Sequence, residues 1–273
     1  MSTAVISASF DDFRSGHARL LEEAARLGKV HVLLWSDAAV ARATGAPPKF
    51  PYAERAYMTG ANRHVAETHP VDAPPSPADP LPARLGRVDA WVVAEPDANR
   101  SMGDAARAAG MAYHVVPKTA LQTFPSAPPA SPISAPGRPK VIVTGCYDWF
   151  HSGHVRFFEE CSELGDLYVA VGHDSNIRLL KGEGHPLIPQ DERRYVVGSI
   201  RFVHQAIVAS GSGWLDAEPD IDRIRPDIYA VNEDGDKPEK RAFCERTGIR
   251  YVVLKRTPRD GLPRRQSTAL RGF

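Results

Sequence analysis

The sequence repeats itself once, and the repeat divides the 273 residues into two halves of similar length. The segment 9–28, SFDDFRSGHARLLEEAARLG, aligns with the segment 146–165, CYDWFHSGHVRFFEECSELG. Four further pairs of segments align in the same order, and one single-residue gap in the alignment brings all of them into register. They are 30–37 with 167–174, 51–65 with 189–203, 87–95 with 225–233, and 113–119 with 251–257. A repeat of about half the chain is larger than a solenoid unit, so each copy is expected to form its own domain.

Both halves alternate short apolar strands with amphipathic helices. In the second half, the strand-like segments VIVTG, LYVAVGHD, IYAVN and YVVLK are separated by helical segments that begin near His154, Gln190 and Pro238. This order is typical of a parallel sheet with helices on both faces. The sequence therefore predicts an α/β protein of two tandem Rossmann-like domains, each a doubly wound parallel sheet.

A stretch rich in proline, alanine and serine, FPSAPPASPISAPGRP, separates the halves. Such a composition builds no core and favours an extended linker. The predicted boundaries are a first domain at 1–123, a linker at 124–139 and a second domain at 140–273. A second proline-rich stretch, 70–82, is expected to be a long surface loop of the first domain.

The composition limits the class of protein. A formal net charge of +1 gives no indication of a nucleic-acid partner. No apolar run reaches the roughly 18 residues that span a membrane, and MSTAVISASFDDF does not resemble a secretory signal. The three cysteines, Cys146, Cys161 and Cys244, lack metal-ligand spacing. We therefore expect a cytoplasmic protein with no nucleic-acid partner, no membrane partner and no dedicated metal site.

In the second half, two histidines lie where a strand meets a helix. His151 and His154 are expected to project from one face of the first helical turn. Gly153 between them removes a side chain where a ligand approaches the backbone. Free N–H groups and the positive end of the helix dipole favour an anion there, which suits a phosphate that gains charge during transfer. The alternative interpretation is a helix cap at His151 and a surface side chain at His154.

The motif G-C-Y-D-x-x-H-x-G-H at 145–154 resembles the signature of the nucleotidylyltransferase superfamily with the H-x-G-H motif. It is similar to the motif of the glycerol-3-phosphate and phosphoethanolamine cytidylyltransferases and of the adenylyltransferase domain that makes ADP-heptose. The resemblance implies three catalytic residues: His151, His154 and Lys181. It also implies a nucleotide-binding set: Gly145, Cys146, Tyr147, Asp148, Gly153, Arg193, Asn232, Asp234, Arg256, Thr257, Ser267 and Thr268.

The resemblance also implies a reaction. A phosphate oxygen of an acceptor attacks the α-phosphorus of a nucleoside triphosphate and pyrophosphate leaves, with Mg²⁺ held mainly by phosphate oxygens. CTP is the favoured donor because the G-C-Y-D form and the R-T…S-T ending resemble the cytidylyltransferases. An adenylyltransferase that uses ATP is one alternative, and a non-catalytic nucleotide-binding scaffold or sensor is another. The acceptor is expected to be a phosphorylated alcohol, polyol or sugar.

Two segments depart from the family pattern. The insertion PRDGLPRR at 258–265 is longer than usual, and it either bulges outward or adds positive charge to the acceptor pocket. Asn232 stands where glycerol-3-phosphate enzymes tend to have glycine. Asp234 and Asp236 are candidates for holding Mg²⁺ or the cytosine amino group, or they only solvate a loop; both interpretations stay open.

The first half keeps the scaffold but lacks the predicted chemistry. Four replacements carry this inference: Arg14 for His151, Thr44 for Lys181, Pro96 for Asp234 and Lys118 for Arg256. We therefore expect a degenerate, non-catalytic copy that packs against the second domain as an intramolecular pseudo-dimer. An anion site at Arg14 is the alternative.

Overall fold

Parallel five-stranded sheets form the centre of both parts of the chain in the computed structural model, which describes residues 2–125 and 137–270. The chain separates into two units, the first ending at Phe124 and the second beginning at Pro125. The central part of the predicted linker, 126–136, lies outside the described residues.

The first unit has the sheet order β3-β2-β1-β4-β5. All of its strand pairs are parallel. Its elements are β1 (Thr3–Ala8), α1 (Ser15–Ala25), β2 (Lys29–Trp35), α2 (Asp37–Thr44), α3 (Tyr52–Gly60), β3 (Val65–Val71), β4 (Ala90–Ala94), α4 (Arg100–Ala108), β5 (Ala112–Val116) and α5 (Lys118–Leu121).

The second unit has the order β8-β7-β6-β9-β10, also with parallel pairs throughout. Its elements are β6 (Lys140–Gly145), α6 (Ser152–Leu164), β7 (Asp166–Val171), α7 (Asp174–Lys181), α8 (Gln190–Gly198), β8 (Gln205–Val208), α9 (Glu218–Ile224), β9 (Ile228–Asn232), α10 (Pro238–Thr247) and β10 (Arg250–Leu254). The predicted fold class, two Rossmann-like α/β units, is confirmed.

The strand order creates a crevice in each sheet. In the second unit the chain leaves β6 towards β7 on one side and returns to β9 on the other side, so β6 and β9 are neighbours with diverging connections. Ligands of doubly wound sheets bind at such a switch point, outside the carboxyl ends of the strands. The fully buried Ile142 of β6 and Tyr229 of β9 fix the two strands in a core that includes Phe243 of α10.

A buried arginine ties together the loops of the second unit. The guanidinium of Arg193, at the start of α8, donates to the carbonyl oxygens of Ile188 (2.8 Å), Cys146 (2.5 Å) and Gly172 (2.9 Å). It also pairs with the carboxylate of Asp174 at 2.6 Å. Because Arg193 is only 1% exposed, all of these partners are needed to satisfy a charge that has left water.

A similar network, with two carbonyl acceptors instead of three, exists in the first unit. Arg55 donates to the carbonyl oxygens of Phe50 (2.9 Å) and Ser9 (2.6 Å) and pairs with Asp37 at 2.7 Å. Phe10 and its counterpart in the repeat, Tyr147, both have left-handed backbone, with φ of 46° and 57°. The two units therefore share a loop conformation that most residues avoid.

Among the helices of the described residues, none combines the length and the apolar character that crossing a membrane would require.

Candidate functional site

A cavity of about 210 Å³ lies at the carboxyl ends of β6 and β9, at the switch point of the second sheet. Most of the residues that the sequence singles out line it: Gly145, Cys146, Tyr147, Asp148, His151, Gly153, His154, Lys181, Asn232, Asp234, Arg256 and Ser267. The structure thus brings together side chains from five separate segments of the chain.

Two glycines shape the loop between β6 and α6. Tyr147 folds back over Gly145, where an added Cβ would lie 2.7 Å from the tyrosine ring. At Gly153 an added Cβ would lie 3.0 Å from the ring of His151. Both distances are shorter than most carbon contacts, so a larger residue at either position would displace the ring of Tyr147 or of His151.

The two histidines stack on each other in the first turn of α6. Their ring centroids lie 4.0 Å apart with an interplanar angle of 18°. His151 is the N-cap, and its Nδ1 accepts the N–H of Gly153 at 3.1 Å. Nε2 of His151 therefore carries the proton, and it lies 3.3 Å from the hydroxyl of Ser267. Nδ1 of His154 is buried and has no hydrogen-bond partner among the described residues.

Both imidazoles are held in the neutral form. Burial, followed by the charges of Arg256 and Arg265, lowers the pKa of His151 from 6.5 to about 3. Burial, followed by the nearby His151, Arg256 and Lys181, lowers the pKa of His154 well below its usual value. At neutral pH the pair therefore offers N–H donors to a phosphate, while Lys181 and Arg256 supply the positive charge.

Stability should depend on pH through His151. Because the folded pKa is near 3 and the unfolded pKa near 6.5, the unfolded chain binds more protons between these values. The free energy of unfolding should therefore fall as the pH is lowered through this window, by at most about 1.4 kcal/mol per pH unit for this group. His151→Asn keeps the N-cap acceptor without titrating, and it should make the fall between pH 6.5 and 5 less steep in denaturant titrations, while the buried His154 and His17 still contribute to it.

His114→Asn is the matched control, because His114 is exposed on β5 of the first unit and meets water when folded and when unfolded. A pH dependence of the free energy of unfolding that is the same in wild type and His151→Asn would contradict the burial argument.

The inserted segment 258–265 folds back onto its own unit. Arg259 pairs with Glu159 of α6 at 2.9 Å, and Arg264 pairs with Glu233 at 3.4 Å. The guanidinium of Arg256 is held between the carboxylate of Asp234 and the carbonyl oxygen of Arg265. The segment therefore does not bulge outward, and its Arg264 and Arg265 line a small cleft that adjoins the cavity.

Two predicted residues, Arg193 and Thr257, do not line this cavity, and for a third, Thr268, the structure describes only the backbone. The guanidinium of Arg193 is used in the loop network described above, so it reaches the cavity only through residues such as Cys146 that line it. Thr257 lines a small adjoining cleft together with Arg264 and Arg265. The side chain of Thr268 lies outside the described residues, although the backbone of Ser267–Leu270 forms a 3₁₀ turn.

Sequence reasoning missed a buried lysine. Lys240 of α10 lines the cavity, is 7% exposed and donates to the hydroxyl of Thr144 at 3.2 Å. Its ammonium also lies 5.5 Å from the ring centroid of Tyr229. Burial lowers the pKa of Lys240. The repeat could have indicated this lysine, because its counterpart in the first half is the apolar Met102, which is typical of a position that faces the interior.

Carboxylates near the cavity already have partners. Asp148 accepts the N–H groups of Leu187 and Ile188 at 2.8 to 3.0 Å, and Asp234 pairs with Arg256. This donor set fits a metal ion that is carried mainly by phosphate oxygens rather than by a protein cage.

Comparison with known proteins agrees with this geometry. Residues 142–256 match the family model described as cytidylyltransferase-like. The chain is 35% identical over 119 residues to an FAD synthase of Ferroglobus placidus, which covers 42% of this chain and 74% of that protein. It is 34% identical over 136 residues to an FAD synthase of Methanocella paludicola, and this match covers 48% of this chain and 93% of that protein.

A third relative is larger. The bifunctional protein HldE of Campylobacter concisus is 35% identical over 104 residues, which are 37% of this chain and 21% of that protein. The match to HldE thus spans about a fifth of its length, whereas the two FAD synthases are matched over most of theirs. The chain belongs to the cytidylyltransferase-like family of nucleotidyltransferases.

Proposed function

We propose that the second unit transfers a nucleotidyl group from a nucleoside triphosphate to a phosphate oxygen of a small acceptor. The observation that carries this proposal is the convergence of His151, His154, Lys181 and Arg256 on one cavity at the switch point. A bond forms between the acceptor oxygen and the α-phosphorus, and the bond to the bridging oxygen of the β-phosphate breaks. Pyrophosphate leaves with that oxygen.

Positioning and charge stabilisation are the tasks of the protein in such a transfer. The neutral imidazoles of His151 and His154 would donate N–H groups to the oxygens of the α-phosphate as they gain charge. Lys181 would bridge the acceptor phosphate and the α-phosphate. Arg256 and Ser267 would hold the leaving pyrophosphate, for which Arg256 has to exchange its contact with Asp234.

We propose Mg²⁺ as the accompanying cation. Asp148 is fully engaged by backbone N–H groups, so Asp234 is the cavity carboxylate that could contribute an oxygen once Arg256 turns to phosphate. The remaining ligands would be phosphate oxygens and water, as is usual for this hard cation. When bound, Mg²⁺ would offset charge on the triphosphate.

ATP is the donor that we propose. The relatives described above include FAD synthases, and flavin adenine dinucleotide contains an adenosine phosphate. CTP is the second candidate, favoured by the G-C-Y-D motif and by the R-T…S-T ending. For the acceptor, the class stays as the sequence predicts it: a phosphorylated alcohol, polyol or sugar, whose phosphate would meet Lys181 and the arginines beside the cavity.

Thermal shift distinguishes the two donors. ATP with Mg²⁺ should raise the melting temperature of the second unit more than CTP at the same concentration, because a ligand stabilises the native state according to its affinity. A tenfold difference in affinity corresponds to about 1.4 kcal/mol and hence to a difference of a few degrees. Lys181→Ala should reduce the shift with both nucleotides. A larger shift with CTP would overturn the choice of ATP.

Release of pyrophosphate tests the function itself. The full chain should release pyrophosphate from its preferred nucleotide only when a suitable phosphate-bearing acceptor is present. A panel of alcohol phosphates, polyol phosphates and sugar phosphates supplies the acceptors. If none of them supports turnover, the alternative of a nucleotide-binding scaffold is favoured. The intramolecular pseudo-dimer, the degenerate role of the first unit and the cytoplasmic location stay predictions.

A further inference from the structure

The first unit contains a cavity of its own, of about 710 Å³, at the carboxyl ends of β1 and β4. This is the switch point of the first sheet, the same place in the fold as the candidate active site of the second unit. The lining residues correspond through the sequence repeat: Ser7 to Thr144, Ser9 to Cys146, His17 to His154, Ala94 to Asn232 and Met102 to Lys240.

These replacements change the chemistry of the cavity. Met102 puts a thioether where the second unit has an ammonium group, and Ala94 removes an amide. Trp35 corresponds to Gly172 and adds an indole wall, fixed by a hydrogen bond from Nε1 to the hydroxyl of Ser7 at 2.8 Å. The result is a larger and more apolar space, within the range of roughly 300–1,000 Å³ typical of small-molecule sites.

The charged groups near this cavity are already compensated or exposed. Arg14 pairs with Asp12 at 3.0 Å, and Asp12 also pairs with Lys49 at 3.2 Å. Asp97 lines the cavity but is exposed. Thr44, at the position of Lys181, donates its hydroxyl to the carbonyl oxygens of Val40 and Ala46. Nothing among these residues replaces the cations that would hold a triphosphate.

The uncharged polar groups of the lining, a histidine and serine hydroxyls, suit hydrogen bonds to an acceptor atom of a ligand. Nδ1 of His17 accepts the N–H of Arg14 at 3.1 Å, so Nε2 carries the proton. Burial lowers the pKa of His17 to about 4, which keeps the ring neutral at physiological pH. His17 and the hydroxyls of Ser7, Ser9 and Ser76 are therefore uncharged lining groups that can donate to an acceptor atom of a ligand.

We propose that the first unit binds an uncharged, mostly apolar ring compound that carries one hydrogen-bond acceptor. The rings of Trp35 and Phe10 and the side chain of Met102 supply apolar contact, and sulfur–aromatic contact with Met102 adds to it. In this view the first copy has not simply lost a site. The exchange of cations for apolar side chains has made a site for another class of ligand.

Prodan, an uncharged fluorescent naphthalene derivative whose ketone oxygen is a hydrogen-bond acceptor, is the probe for the experiment on the full chain. Saturable binding at a single site is expected, and excess ATP with Mg²⁺ should leave the probe bound. Ala94→Phe should fill the cavity and weaken binding at least about tenfold. Met102→Lys, which restores the residue type of the second unit, should also weaken it, and the melting temperature of each variant shows that the unit is folded.

Asn232→Phe is the matched control, because it places the same ring at the corresponding position of the second unit. It should leave probe affinity unchanged. The proposal is overturned if wild type shows no saturable binding or if Ala94→Phe and Met102→Lys bind as wild type does. Displacement of the probe by ATP, or its loss in Asn232→Phe alone, would place it in the nucleotide cavity and would also overturn the proposal. Probe binding is measured by fluorescence and needs no catalytic turnover. A failure of this proposal can therefore be distinguished from a failure of the proposed nucleotidyl transfer.

Discussion

His154→Ala and Lys181→Ala are each expected to lower turnover by at least about a hundredfold, the scale for removing one transition-state donor. His154 stacks on His151 and also packs against Tyr147 and Phe150, while its buried Nδ1 has no hydrogen-bond partner among the described residues. Lys181 is exposed at the end of α7 and lines the cavity. Lys181→Ala should therefore lower turnover and leave the melting temperature nearly unchanged. His154→Ala should lower turnover and also lower the melting temperature, because it removes a ring that is packed on three aromatic neighbours.

The measurement is pyrophosphate release at saturating nucleotide, together with KM. An interaction that forms only in the transition state lowers kcat and kcat/KM by similar factors, whereas lost ground-state binding raises KM. Arg178→Ala is the matched control for Lys181, because Arg178 is exposed one turn earlier on α7 and lies outside the cavity lining. His114→Ala is the control for His154. Rates within a few-fold of wild type in both active-site variants would exclude the proposed mechanism.

The sheets and the position of the cavity could be predicted because their signals are local. A buried strand, a glycine and a helix that begins with two histidines all lie within 140–164, and the repeat shows the pattern twice. The strands β3 and β8 were not among the predicted segments. Each lies at the edge of its sheet, where a strand has one neighbour, and β8 is only four residues long. Edge strands of this kind carry a weak apolar signal.

Contacts between distant segments could not be predicted in the same way. Lys240 and Thr144 are separated by 96 residues, and only the packing of α10 against the sheet brings them together. For Asp234 the sequence allows two interpretations, binding a ligand or solvating a loop. Its pairing with Arg256 depends on the path of the inserted segment. Pairings of this kind depend on tertiary geometry that residue types and spacing do not specify.

Arg193 illustrates the difference between a residue type and its role. The sequence places an arginine at the start of α8, and the family resemblance implies that it binds the nucleotide. In the structure, the guanidinium has acceptors from three other segments and lies almost completely out of solvent. Arg55 has similar partners in a unit where two of the three predicted catalytic residues, His151 and Lys181, are replaced by Arg14 and Thr44. The common role in both units is to fix the loops that frame the cavity.

Arg193→Met is therefore expected to lower the free energy of unfolding of the second unit by about 3–5 kcal/mol, because it leaves Asp174 and three carbonyl oxygens without their donor. For a unit of this size the melting temperature should fall on the order of 10 °C, measured by calorimetry so that the two units are followed as separate transitions. Arg55→Met should produce a loss of similar size in the first unit, and the exposed Arg178→Met should produce almost none. If Arg193→Met instead melts as wild type does and raises KM for the nucleotide, the guanidinium contacts phosphate, and the network around it is of secondary importance.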